Sequence, residues 1–285
     1  MEKIFVKARA KINLNLIVLG KREDGYHNIK SVFQKVNLYD ELFLSKTDTA
    51  DIEFVTNKDE INTPDNIICK AYYKLKEKYN LSGVKVMLNK KIPMKAGMGG
   101  GSADCASFII AMNKLFDLKM AQKEMETIGS ELGADVVPCL YDGAILAEGI
   151  GDIITPIDAF CKFYLVIIKP QMNCNTKEMY KKIDGSNLVS PVDTTDKIIQ
   201  GIKSNHIEQI SANLCNSFEG VVENVDLIKN IKNELLNNGA LGSLMTGSGS
   251  CVFGIFEHKK RAKMAYETLQ KDHETYICTS FGKNV

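Results

Sequence analysis

The chain has no tryptophan, only four histidines and six prolines in 285 residues. Its eight cysteines contain no Cys-x-x-Cys pair, and none stands at metal-ligand spacing from a histidine, so a structural zinc site is excluded as a reading. Charge of one sign is missing too: 36 Lys+Arg face 35 Asp+Glu, formally +1. A chain this neutral has no bulk field for duplex nucleic acid or an anionic membrane surface, and neither is expected as a partner. Any anionic ligand must be held by local geometry. Long apolar runs are absent as well. The longest, about residues 163–168, is far short of the ~20 residues of a spanning helix. Met1 opens straight into a strand-like pattern without a signal-type apolar stretch, so the expected compartment is a reducing cytoplasm with the cysteines as small core residues.

What is present is an ordinary globular composition, 45% hydrophobic and 25% charged, of a length that suits one large or two medium domains. Residues 4–18 alternate, with Ile4, Val6, Ala8, Ala10, Ile12, Leu14, Leu16 and Val18 on one face. Period two means extended chain with one face buried. The other face carries Lys7, Arg9, Lys11, Asn13 and Asn15, spaced ~7 Å apart, and by pattern alone it reads as a solvated face. Residues 20–28 form a loop. Extended runs are expected at 41–45, 51–55, 84–88, 143–147, 163–169, within 244–256 and at 275–281. Helices are expected at 66–79, after 103, at 122–132 (stopped by Gly133 as a left-handed glycine), and at 195–203, 207–222, 226–237 and 259–271. The pattern changes near 155–162, which predicts two α+β domains.

Chemistry concentrates at Pro93-Met94-Lys95-Ala96-Gly97-Met98-Gly99-Gly100-Gly101-Ser102-Ala103. Glycines allow a close approach of backbone to ligand and positive φ. The run leads into a helix whose first N–H groups lack intrahelical partners, which makes an anion cradle suited to phosphate. Lys90, Lys91 and Lys95 add local positive charge, and Ser102 can cap the helix or face a phosphate-bound metal. No Gly-Lys-Ser/Thr closes the run, so it is not a Walker A loop. It also lacks the strand and distant acid of a dinucleotide fingerprint.

Together with Ala8-Arg9-Ala10-Lys11-Ile12-Asn13-Leu14 and Met245-Thr246-Gly247-Ser248-Gly249-Ser250-Cys251-Val252-Phe253, this run resembles the motifs of the galactokinase, homoserine kinase, mevalonate kinase and phosphomevalonate kinase (GHMP) superfamily. Further segments narrow the likeness: Asp24-Gly25-Tyr26-His27, the glycines 99–101, Leu132-Gly133-Ala134-Asp135-Val136 and Glu148-Gly149-Ile150-Gly151. They resemble, over the whole chain, the branch that phosphorylates a methylerythritol carrying cytidine diphosphate in the non-mevalonate route to isoprenoids.

The resemblance implies a two-domain GHMP kinase fold. A ribosomal-protein-S5-like domain would cover residues 1–158 and a ferredoxin-like domain 159–285. It implies ATP and Mg²⁺, with the 93–103 segment on the phosphates and Asn66 on the adenine side. Asp135, which unaided reads as a surface or capping carboxylate, becomes the general base, and Lys11 the second catalytic residue. Asn13, Tyr26, His27, Thr176 and Tyr180 become substrate residues, with Tyr26 and Tyr180 sandwiching cytosine and His27 reading its edge. No protein residue is assigned firmly to the metal; Ser102 is the candidate. The family's Asp-Val-Pro is here Asp135-Val136-Val137-Pro138, which leaves the turn after Asp135 open. A monomer or weak homodimer is expected. Two rival readings stand beside this one. A mevalonate-type kinase has no use for Gly-Tyr-His after the first strand, and a catalytically silent nucleotide binder has no need for both Lys11 and Asp135.

Overall fold

The structure is a computed structural model and describes residues 3–186 and 192–282. The chain sorts into two units, neither of them one contiguous segment. The first comprises the chain through Ala10, Leu38–Ile92 and Gly99–Tyr141; the second comprises Lys11–Asn37, Pro93–Met98 and the chain from Asp142 onward.

The first unit holds the opening half of β1 (Lys3–Lys21), the closing half of β2 (His27–Lys46), β3 (Ile52–Thr56), α1 (Ile67–Tyr79), β4 (Val84–Asn89), α2 (Gly100–Leu115), α3 (Gln122–Leu132) and α4 (Val136–Cys139). Its strands run in the order β3-β4-β2-β1. β2 and β4 are antiparallel with Phe43 opposite Met87, while β3 and β4 are parallel. Strict alternation turns Leu42, Leu44, Val84 and Val86 toward the helices, where they join Ile68, Tyr72, Leu75, Phe108 and Met112. Each such side chain, fully buried, stabilises the fold by ~1.5–3 kcal/mol before entropy is counted. The same alternation leaves Phe5, Phe43, Met87 and Val55 on the outer face. α2 is buried nearly all round, as its Ala-, Cys- and Ile-rich sequence requires of a core helix.

In the second unit β2 pairs antiparallel with β5 (Ala144–Glu148), which pairs with β6 (Ile153–Ile157). β7 (Tyr164–Lys169), α5 (Thr176–Asp184), α6 (Thr195–Lys203), α7 (Ile207–Ala212), β8 (Cys215–Asn216), α8 (Val225–Asn237), β9 (Gly242–Met245), β10 (Val252–Phe256), α9 (Lys259–Leu269) and β11 (Glu274–Thr279) follow. β8 lies parallel to β1 at Asn15 and Leu16. The other strands form an antiparallel sheet in the order β11-β7-β10-β9. The succession β7-α8-β9-β10-α9-β11 is ferredoxin-like, as expected of the C-terminal part. Val166, Ile168, Val252 and Phe256 pack under Ile231, Leu235, Ala262 and Leu269.

Several local expectations change. The helix expected over 207–222 ends at Ala212, because Asn216 takes the backbone elsewhere. Its amide donates to the Met245 and Gly247 carbonyls and its oxygen accepts from Phe218 N–H, the local competition that breaks helices. Gly133 does cap α3, but at φ 166°, an extended conformation open to any residue rather than a left-handed one. Strand β2 is far longer than residues 41–45, and α5 and β6 had no clear periodic signal. Among the described residues no helix is long and apolar enough to cross a membrane. All eight cysteines are free.

Candidate active site

Strand β1 overturns the solvated-face reading from its middle onward. Lys11, Asn13 and Asn15 are buried even though they sit on the polar side of the alternation. Each is matched by a polar or aromatic neighbour, as buried polar groups must be. Lys11 Nζ donates to Asn13 Oδ1 at 2.9 Å and lies 4.6 Å above the Phe33 ring, within cation–π range. Asn13 Nδ2 donates to Ser31 Oγ, and its backbone N–H donates to Thr246 Oγ1. Asn15 donates to Thr195 Oγ1 and accepts from Val32 N–H. Lys11 is thereby held in one orientation rather than sampling rotamers in water.

Two glycine segments meet backbone to backbone in this same unit. Gly97 stands at φ 72°, and a Cβ there would come within 2.1 Å of the Thr246 carbonyl oxygen. Gly247 stands at φ 57°, and its Cβ would meet the Gly97 carbonyl oxygen at 2.6 Å. Only glycine serves at either position. Thr246 Oγ1 also contacts Asn13 Oδ1, Lys11 N–H donates to Met98 O, and Cys251 N–H donates to Ala96 O. The C-terminal loop therefore braces both β1 and the glycine-rich segment. Sequence pattern alone does not single out Thr246 within the 245–253 motif.

The other part of the glycine-rich segment opens α2 in the first unit. The helical ladder starts with Ala103 N–H donating to Gly99 O at 2.8 Å. The N–H groups of Gly100, Gly101 and Ser102 come before that ladder, at the positive end of the helix dipole. A Cβ at Gly101 would meet nothing within 4 Å. Open space above unladdered amides is what a phosphate group needs. The expected local charge is redistributed: Lys91 pairs with Glu41 at 2.6 Å, and Lys90 is buried between Asp40 and Asp104. Lys95 alone of the three is left without a carboxylate partner among the described residues, at φ 53°.

A third cluster gathers the residues expected at a base. His27 stacks on Tyr180, centroids 4.6 Å apart and rings 17° from parallel, and Tyr180 meets Phe218 edge-on. Tyr26 is 60% exposed. Asp184, one helical turn beyond Tyr180 on α5, accepts from His27 Nε2 at 2.6 Å and from Lys21 at 2.9 Å. The His27 hydrogen bond, then Lys21, holds the Asp184 carboxyl below the ordinary carboxylate range. Thr176, in the first turn of α5, shares a hydrogen bond with Ser248 of the C-terminal loop. Asp184 was missed from sequence; its i+4 spacing from Tyr180 was the available signal.

The remaining residues are placed as follows. Asp135 is exposed and precedes α4, so the chain after it, with Val137 where the family usually has Pro, forms a short helical turn. Asn66 is the N-cap of α1, its oxygen accepting from Ile68 N–H and its amide donating to Ile61 O. Cys105 is buried with its thiol pushed up by that burial, and so is a packing residue. No group of three or more His, Cys, Asp or Glu among the described residues could hold a metal by itself.

This combination of an ammonium-bearing strand, a glycine cradle and a second glycine loop can be compared with known proteins. The GHMP kinases N-terminal domain matches residues 66–143, and the GHMP kinases C-terminal domain matches 198–274. The chain belongs to the GHMP kinases. It is therefore an ATP-dependent kinase. It is 42% identical over 287 residues to a 4-diphosphocytidyl-2-C-methyl-D-erythritol kinase of Thermoanaerobacter pseudethanolicus, covering 100% of this chain and 97% of the relative. A protein of the same name from Alkaliphilus oremlandii is 40% identical over 273 residues, covering 94% and 93%. Among solved structures, a 4-(cytidine 5'-diphospho)-2C-methyl-D-erythritol kinase superposes with a TM-score of 0.84 at 27% identity, covering 98% of this chain and 99% of that one.

Proposed function

We propose that this GHMP kinase transfers the γ-phosphoryl group of ATP to the 2-hydroxyl of 4-diphosphocytidyl-2-C-methyl-D-erythritol, in non-mevalonate isoprenoid precursor synthesis. The observation that carries this reading is end-to-end identity of about two-fifths with relatives bearing that name. The His27–Tyr180 ring pair supports it, since a stacked aromatic with a hydrogen-bonding edge suits a nucleobase and has no use for a small aliphatic acceptor.

Phosphoryl transfer asks mainly for positioning and charge stabilisation. Asp135 takes the acceptor hydroxyl proton or orients that hydroxyl. Lys11, fixed by Asn13 and Phe33, stabilises charge on the reacting oxygens. Asn13 holds the acceptor or its phosphates. The 93–103 segment and the amides of Gly100, Gly101 and Ser102 take the ATP phosphates, and Asn66 lies on the adenine side. Tyr26, His27, Thr176 and Tyr180 take the cytidine end. Mg²⁺, which neutralises phosphate charge when bound, fits a donor set of phosphate oxygens and water with the Ser102 hydroxyl, because no carboxylate cage is available among the described residues. The enzyme acts in the cytoplasm as a monomer or weak homodimer.

The test is ADP release from ATP and Mg²⁺ with separate acceptors. Release with the cytidylyl diol alone is the expected result. Release with mevalonate would move the chain to another branch, and no release with any acceptor would make it a silent relative.

A further inference from the structure

One buried charge cluster is not used by that chemistry. Lys90, just past β4, is buried together with Asp40 of β2 and Asp104 of α2. Lys90 Nζ donates to Asp104 Oδ2 at 2.7 Å and also to Asp40 Oδ2. Asp40 Oδ1 accepts from the backbone N–H groups of Lys91 and Ile92, the last residues before Pro93. Asn57 fixes the Lys90 backbone on both sides, accepting from its N–H at 2.8 Å and donating to its carbonyl. The Lys90 ammonium also lies beneath the first residue of α2, since a Cβ on Gly100 would meet Nζ at 3.3 Å. One cation thus fastens the chain entering the glycine-rich segment to the helix leaving it.

We propose that Lys90, clamped between Asp40 and Asp104, is a positioning residue for the nucleotide: it sets the place and rotation of the first turn of α2, whose amides receive the ATP phosphates. The inference rests on the chain's use of ATP and not on the identity of the acceptor. Stability alone does not call for such a cluster, because well-packed apolar residues commonly replace a buried ion pair without loss. A directional set of hydrogen bonds does what apolar packing cannot. It admits a single rotation of α2 about its axis, and amides a fraction of an ångström out of place bind phosphate poorly. It also places a positive charge under the cradle.

The hydrogen bonds within the cluster are consistent with that placement. Asp40 has donors on both oxygens. Asp104 has an oxygen, Oδ1, with no hydrogen-bond partner. Burial, opposed by Lys90 and reinforced by Asp40, pushes its carboxyl well above the usual range. Burial works against the Lys90 ammonium, but Asp104 and Asp40 outweigh it and hold its pKa up.

The test is ATP binding by calorimetry without acceptor, beside separate KM values for ATP and for the alcohol. Lys90→Met and Asp104→Ala should each weaken ATP binding about tenfold or more, with the alcohol KM within about twofold of wild type. Asp104→Asn, which keeps a side-chain oxygen to accept from Lys90 Nζ, should restore ATP binding to within about twofold of wild type. Unchanged ATP affinity in Asp104→Ala would overturn the proposal, as would equal rises in both KM values. If Lys90→Met does not fold, Asp104→Ala decides alone, since it leaves the Lys90–Asp40 pair intact. Failure to phosphorylate the cytidylyl diol would strike the proposed acceptor and leave this binding test standing.

Discussion

The two halves of β1 follow one alternation and meet opposite fates. Toward the N-terminus the odd residues Lys3, Phe5 and Lys7 are exposed, and Lys7 rests its ammonium over the Tyr39 ring at 4.5 Å and pulls weakly on the Glu41 carboxylate. Four residues on, Lys11 is 5% exposed, tied to Asn13 and Phe33. The difference lies in what covers the strand. Around Asn13 and Asn15, Ser31, Thr246 and Thr195 each supply a hydroxyl at hydrogen-bonding distance. A polar face becomes a site when other segments bring matching polar groups onto it, since an unmatched one would cost ~1–3 kcal/mol for each group buried.

The strongest way to break that contrast is to remove the covered lysine. Lys11→Ala should lower kcat by about a thousandfold or more while ATP still binds, and Asp135→Asn should do the same. Single-turnover assays beside ATP titration read both effects, and wild-type turnover in either variant removes that residue from the mechanism. Next comes the cover itself. Gly97→Ala forces a methyl toward the Thr246 carbonyl at a left-handed φ, so thermal or denaturant melts should show a loss of ~2–4 kcal/mol, or failure to fold. An alanine variant as stable as wild type would mean that the two loops do not press on each other.

A smaller effect is expected where Lys21, at the end of β1, and His27, at the start of β2, share Asp184. His27→Ala should raise KM for the cytidylyl substrate about tenfold to a hundredfold and leave KM for ATP nearly unchanged. An equal rise in both would sink the base-reading role. The pH dependence has a definite sign. The Asp184 carboxyl is depressed in the folded chain, so its pairing is intact above the ordinary carboxylate range and is lost as pH falls through its folded value. Acceptor KM should therefore rise in acid, below about pH 4, and Asp184→Asn should flatten that rise.

Much of this architecture can be read from local pattern. Alternation locates β1, β3 and β4, and helical spacing places α3 and α6 at their observed ends. The glycine-rich segment running into α2 is legible for the same reason, because glycine content and a following helix are local properties. What escaped is non-local. No single segment shows that Asn216 will abandon a helix to hold the loop at Met245 and Gly247. Nor does any segment show that Lys90, apparently one of three lysines offered to phosphate, will be consumed by Asp40 and Asp104, 50 and 14 residues away. The burial of Lys11 escaped for the same reason, since a strand's alternation records which face is apolar and not whether the polar face will be covered.

Lys7 therefore supplies the sharpest control, with the smallest effect. It shares its residue type, strand and alternation parity with Lys11, so any theory of β1 based on pattern alone gives the two equal weight. Its exposed ammonium lies over one ring, an interaction worth ~0.5–1 kcal/mol, with a screened pull on Glu41 beside it. Lys7→Ala should shift stability by less than ~1 kcal/mol and leave kcat and both KM values within about twofold of wild type. A loss of turnover approaching that of Lys11→Ala would show that covering the strand does not separate its functional half from its structural half. Near-wild-type kinetics beside an inactive Lys11→Ala would tie the difference between the two lysines to the partners that Ser31, Phe33 and Thr246 provide.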